Sequence, residues 1–142
     1  MKKYLFVLFI ISLITACHSD DYNNNNSFLP NYSFSVSIDM NLPQYTNLLY
    51  TANPVLINEA GAGINGVIVM NTGGGYVAFE NSCPNQPITN CSMLQRTGIM
   101  AKCPCDDVEY SLFDGTTTAD VRFPLKSYRI QITSPTSLRV YN

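Results

Sequence analysis

From Phe34 onward the chain is built of short alternations of apolar and polar side chains. Phe34, Val36, Ile38 and Met40 are interleaved with Ser35, Ser37 and Asp39, the period-two signature of a strand that buries one face. Pro43 ends that pattern, residues 45–49 predict a short helical turn, and Asn53-Pro54 starts an extended piece over 55–57. Gly61, Gly63 and Gly66 punctuate a loop. Two β-rich runs, 67–70 and 76–80, then flank Asn71-Thr72-Gly73-Gly74-Gly75, which predicts a hairpin. The triple glycine is read as a turn rather than a phosphate cradle, because a phosphate loop opens a helix and strand residues stand on both sides here. Short strands are expected again at 109–113, 122–125, 128–133 and 137–141. No helical periodicity lasts three turns and no internal repeat is visible, so the pattern predicts an all-β fold of small stacked antiparallel sheets or a partly open barrel.

Before residue 28 the pattern is different. Lys2-Lys3 precedes an apolar run over 4–14 that is too short to span a bilayer comfortably, so residues 1–16 have the form of a secretory signal peptide. Ile14-Thr15-Ala16-Cys17 resembles the lipobox of bacterial lipoproteins, which implies that Cys17 becomes the first mature residue and carries fatty acids such as palmitate. Each buried methylene of such chains contributes about 0.8 kcal/mol, and several chains together anchor an otherwise soluble domain. Residues 17–27 hold His18, the acidic step Ser19-Asp20-Asp21 and the asparagine run over 23–26, and read as a flexible tether. The acidic step resembles export signals that send lipoproteins to the outer face of the outer membrane in some Gram-negative phyla. The expected location is the bacterial outer membrane, surface-exposed or on the periplasmic face, with one β domain over 28–142.

Composition narrows what that domain can do. Of 142 residues, 46% are hydrophobic, enough for one real core in a chain too short for two domains. Only 13% are charged and the formal net charge is -2, so no basic stripe is available for phosphates and nucleic acid is not expected as a partner. The single histidine, His18, lies in the tether, which removes a Ser-His-Asp triad, a Cys-His pair and any His-ligated metal from the folded part. Asp106, Asp107 and Glu109 are carboxylates that could serve as acid and base or hold a hard cation, but no further oxygen ligands surround them in sequence, and a solvated loop is the plainer reading. No catalytic residue is assigned, and the domain reads as non-enzymatic.

The remaining chemistry is sulfur. Four of the five cysteines lie between Cys83 and Gly115, in Cys83-Pro84-Asn85, at Cys91, and in Cys103-Pro104-Cys105-Asp106. With Cys17 given to lipid, four cysteines in an oxidising compartment imply a disulfide framework with three possible connectivities. A zinc site competes for the same atoms, although zinc knuckles place about two to four residues between paired cysteines, a spacing that neither Cys103/Cys105 nor Cys83/Cys91 has. Cys103-Pro104-Cys105 also lacks the spacing and helix start that lower a thiol pKa.

These two outer loops resemble the cluster-binding loops of Rieske [2Fe-2S] domains, which read Cys-x-His and Cys-x-x-His. Tyr76-Val77-Ala78-Phe79-Glu80-Asn81-Ser82-Cys83-Pro84 has the form of the strand that leads into the first loop, and Tyr110-Ser111-Leu112-Phe113-Asp114-Gly115, Pro124-Leu125 and Tyr128 that of the closing strands. The resemblance covers the chain from about Phe34 to the C-terminus. It implies that Cys83 and Cys103 stand at thiolate positions, with Asn85 and Asp106 where the family has its histidines. An amide is a poor iron ligand and a carboxylate a hard one, whereas the family's imidazoles raise the cluster's potential. Asp107 and Val108 replace the Gly-Ser that follows the second-loop histidine, and no Gly-Pro of the third loop is found between Asp120 and Pro124. Rieske proteins that work outside the cytoplasm are commonly exported folded behind twin arginines, and Lys2-Lys3 is not such a pair. Respiratory Rieske proteins join their two loops by a disulfide, which implies Cys91 with Cys105 here and leaves Cys83 with Cys103, each bond contributing on the order of 3 kcal/mol.

The resulting expectation is a lipid-anchored envelope protein whose Rieske-like domain has lost its cluster and acts as a binding or accessory module, meeting the membrane through Cys17 and an envelope protein as partner. No cofactor is assigned. Two alternatives stay open: electron transfer by a [2Fe-2S] cluster on Cys83, Cys103 and substitutes drawn from Asp106, Cys91 or Cys105, and a binding module stabilised by zinc on the four cysteines.

Overall fold

The computed structural model describes residues 25–142; the expected signal peptide, Cys17, His18 and the acidic step lie outside the described residues. The fold is all-β, as the alternation predicts, with three antiparallel sheets of three strands each. The first sheet orders β1 (Ser35–Asp39), β9 (Ser137–Tyr141) and β8 (Arg129–Ser134) side by side. The second contains β2 (Val55–Ile57), β3 (Val67–Asn71) and β4 (Tyr76–Glu80). The third contains β5 (Gln95–Thr97), β6 (Met100–Lys102) and β7 (Glu109–Ser111).

Register follows burial. Val36 pairs with Val140 and Ile38 with Leu138, so the buried alternate set of β1 meets that of β9. β3 departs from alternation, since Val67, Ile68, Val69 and Met70 are all fully buried. Its two faces look into different cores. Val67 and Val69 join Ile38, Leu48, Leu138 and Val140 in one, while Ile68 and Met70 join Phe79, Cys83, Cys103, Tyr110 and Leu112 in the other. A strand covered on both faces needs a continuous apolar run, and each such side chain taken from water contributes roughly 1.5–3 kcal/mol. The second core carries the cysteine loops. The free edge of β4 then binds residues 126–128, through Glu80 N–H to Lys126 O (2.8 Å) and Tyr128 N–H to Ala78 O (2.9 Å), which joins the second sheet to the start of β8.

Several expectations are adjusted by the structure. Residues 122–125 do not form a strand. Phe123 spends its N–H and C=O on the Asn85 side chain (2.9 and 2.8 Å), and the Leu125 N–H goes to Gly115 O (2.9 Å), so these groups are not free for a strand partner. The strand expected over 109–113 ends at Ser111, where the Gly115 N–H turns back onto Ser111 O (2.8 Å). The β5–β6 hairpin was not foreseen: all three residues of β5 are exposed, so no alternation marks it. The turn over 45–49 is a 3-10 helix, Thr46–Leu49, and the glycine hairpin joins β3 to β4 with the Thr72 N–H on Gly75 O (2.8 Å). The packed body also reaches back to buried Asn26, two residues before the expected boundary at 28.

Candidate functional site

The first cysteine loop leaves β4 at Glu80, and the second bridges β6 and β7. Glu80 has no exposed surface, and its carboxylate accepts four hydrogen bonds, from Ile64 N–H (2.7 Å), Asn65 N–H (2.9 Å), Ser82 Oγ (2.8 Å) and Tyr128 OH (2.7 Å). A buried carboxylate is tolerated when its lone pairs are filled in this way. Glu80 therefore fastens the loop around Gly63 and the start of β8 to the root of the first cysteine loop. Gly63 has φ +64°, and a Cβ there would stand 2.6 Å from Glu80 Oε2. Burial, then the charge and hydrogen bond of Glu80, hold the Tyr128 hydroxyl far above the ordinary tyrosine range.

Beyond this root the two loops are joined twice. Cys83 and Cys103, both fully buried, form one disulfide with Cα atoms 5.5 Å apart, and exposed Cys91 with half-buried Cys105 forms the other at 5.2 Å. This is the pairing that the Rieske resemblance implies. The sulfurs of Cys83, Cys103 and Cys105 lie within 4.8 Å of one another. Polar groups of the first loop surround them: Gln86 Nε2 donates to Cys103 Sγ (3.1 Å), and Thr89 Oγ1 stands 3.3 Å from Cys91 Sγ.

Asn85 and Asp106, where the Rieske resemblance would place histidines, are both engaged within the fold. Asn85 Nδ2 donates to Phe123 O (2.8 Å) and Tyr110 OH (3.0 Å), and its Oδ1 accepts from Phe123 N–H (2.9 Å). Burial pushes the Tyr110 hydroxyl up, the Asn85 amide draws it down and the charge of Asp106 pushes it up. Asp106 is exposed and accepts from Val108 N–H (3.1 Å) and Gln86 Nε2 (3.1 Å). Asp107 pairs with Lys102 at 2.8 Å, and Glu109 is exposed, so these carboxylates form a wet loop edge. The donor set does not fit a [2Fe-2S] cluster: the two sulfurs at thiolate positions are bonded to each other, and the amide at the first imidazole position has both its oxygen and its nitrogen committed to the backbone of Phe123.

Two buried charged residues escaped the sequence reading, Glu80 and Lys126, because nothing but tertiary context marks a charged side chain as buried. Lys126 is 2% exposed, and its Nζ donates to Leu29 O (3.0 Å), Pro30 O (2.9 Å) and Asn31 Oδ1 (2.6 Å). Burial draws its pKa down while the charge of Glu80 pushes it up. The same N-terminal segment is fixed at Asn26, whose Nδ2 donates to Pro84 O (2.7 Å) beside Cys83, and at Phe28, whose ring meets that of Phe123 edge-on at 6.3 Å. Residues 26–31 are thus a strap that ends at the cysteine loops.

No protein-family model and no curated protein sequence matches the chain. Among solved structures it is similar to a protein assigned as the small subunit of an NADH-dependent nitrite reductase from Mycobacterium tuberculosis, with 18% identity and a TM-score of 0.48 over 79% of this chain and 97% of that one. It is also similar to the ferredoxin of carbazole 1,9a-dioxygenase from Nocardioides aromaticivorans IC177, with 17% identity and a TM-score of 0.45 over 78% and 97%. A chain of the complex between oxygenase and ferredoxin in carbazole 1,9a-dioxygenase matches at 14% identity and 0.46 over 77% and 92%.

Proposed function

We propose that this chain is a lipid-anchored cell-envelope protein, held at the outer membrane through Cys17, whose Rieske-like domain works without an iron–sulfur cluster as a non-catalytic binding or accessory module. The observation that carries the reading is the fate of the four ligand positions. Cys83 is bonded to Cys103, Asn85 clips Phe123 and Tyr110, and Asp106 closes its own turn on Val108. Each position has acquired a structural role that competes with metal ligation. Disulfides replace a cluster as the staple between the loops, which suits a chain exported unfolded into an oxidising compartment. The Lys2-Lys3 signal, in place of twin arginines, supports the same route.

A metal-bound reading draws on the three sulfurs within 4.8 Å, which reduction would turn into two or three thiolates around one point. Native intact mass of the exported domain separates the two. Loss of four hydrogens with no metal is the expected result. Retention of two irons and two sulfides, or of one zinc with reduced thiols, would overturn the proposal.

A further inference from the structure

Resting on the acylation of Cys17 proposed above, we infer that the domain sits with its cysteine-loop end against the lipid surface, and that phospholipid headgroups are the partner of a surface made by Phe28, Pro87, Ile88, Arg122, Phe123 and Pro124. The first ground is reach. The chain enters the packed body at Asn26, whose side chain is bonded to Pro84 O next to Cys83. Cys17 is nine positions earlier, and whatever path the intervening residues take, a fully extended chain covers at most about 30 Å over that step. The anchor therefore keeps the point where the chain enters the body, beside the first cysteine loop, within that distance of the bilayer.

The second ground is the chemistry displayed around that entry point. Phe28 lies two residues inside it and is half-buried against Phe123, which Asn85 ties to the first loop. The Arg122 guanidinium lies 4.9 Å from the centre of the Phe123 ring, and the side chain is exposed. Among the described residues the one ion pair is Lys102 with Asp107, so no described carboxylate competes for Arg122. An arginine over an aromatic ring, next to an exposed proline, suits the membrane interface: rings and aliphatic groups enter the headgroup layer while the guanidinium binds lipid phosphate with two parallel hydrogen bonds. Pro87, Ile88 and Pro124 are exposed on the loops that carry this cluster.

The chain has no tryptophan, so a single introduced indole reports its own depth. Full-length chain carrying Ile88→Trp or Ile132→Trp is reconstituted into phosphatidylcholine vesicles with brominated acyl chains, and mass analysis of the N-terminal peptide reads the acyl groups on Cys17. Ile132, on β8 of the first sheet, is the fairer control because it is the more exposed of the two, 61% against 43%. The expected result is an acylated Cys17 with fluorescence at position 88 quenched roughly twofold or more and position 132 little affected, as for groups seated at the headgroup–acyl boundary. Acylation with equal quenching at both sites, with stronger quenching at 132, or with none at either would overturn the orientation and leave the anchor standing. An unacylated chain that stays in solution would overturn both.

Discussion

At position 85 one side chain takes the place of a neighbouring strand. The Asn85 amide meets both the N–H and the C=O of Phe123, the exchange that paired residues make in an antiparallel ladder. Its third bond fixes Tyr110 OH in the second core. Asn85→Ala should therefore lower stability by about 2–3 kcal/mol, at roughly 1 kcal/mol for each lost bond. The midpoint of urea unfolding should fall with the slope unchanged; an unmoved midpoint would mean that the clip is dispensable. A second prediction concerns Tyr128, whose proton is retained in the fold by burial and by Glu80. Above pH of about 10 the unfolded tyrosine ionises while the folded one does not, so the native state binds more protons and stability falls as pH rises from there. Tyr128→Phe should cost about 1–2 kcal/mol at neutral pH, since Glu80 loses a donor, yet flatten the alkaline decline. Circular dichroism followed with urea at pH 7 and in the alkaline range would reveal both effects, and parallel pH profiles for the two proteins would refute the assignment.

Among elements, those that bury one side against a sheet neighbour were legible in the sequence. The alternation of β1 and β9 reports directly which side chains meet across the first sheet. β3 was legible as a strand but not as the wall between two cores, because a continuous apolar run does not say what covers each face. β5 was invisible, having no buried position, and segment 122–125 misled because its backbone bonds go to the Asn85 side chain and to the Gly115 turn instead of to a strand. At the candidate site, the loop spacing and cysteine count were readable, whereas the occupation of Asn85 by Phe123 depends on residues 38 positions away. The two disulfides make unequal targets. Cys91 is exposed and Cys83 with Cys103 is fully buried, so graded reduction with alkylation and peptide mapping should label Cys91 and Cys105 together before either buried cysteine. Removing the outer bond by the double substitution of Cys91 and Cys105 to Ser should cost about 3 kcal/mol, as for a loop of this length, read as a fall in unfolding midpoint. Labelling of all four cysteines at one reductant concentration would show that the loops open as one unit.

For the molecule as a whole, the N-terminal strap decides where the folded body ends and how it is held. Lys126 is buried, and its ammonium donates to Leu29 O, Pro30 O and Asn31 Oδ1. Deleting the chain through Asn31 would leave a charge near the interior without those partners, uncover Lys126 and remove the ring that Phe28 lays on Phe123. Losing these hydrogen bonds to a charged group, offset in part by water that reaches the uncovered ammonium, costs about 1.5–3 kcal/mol, a large share of the stability of a domain this size. Deletion through Tyr22 removes none of these contacts, since the buried segment starts at Asn26. The expected order of unfolding midpoints is therefore full domain equal to the shorter deletion, with the deletion through Asn31 far below. Lys126→Met in the longer deletion should recover part of the loss, because it removes the unpaired charge and keeps the aliphatic stem, while the same substitution in the intact domain should destabilise. That reversal of sign separates the loss of a partner for Lys126 from the loss of strap packing. If Lys126→Met were destabilising in both backgrounds, the strap would act through Leu29 and Phe28 alone, and it would be held to the body by apolar contact instead of by a buried cation.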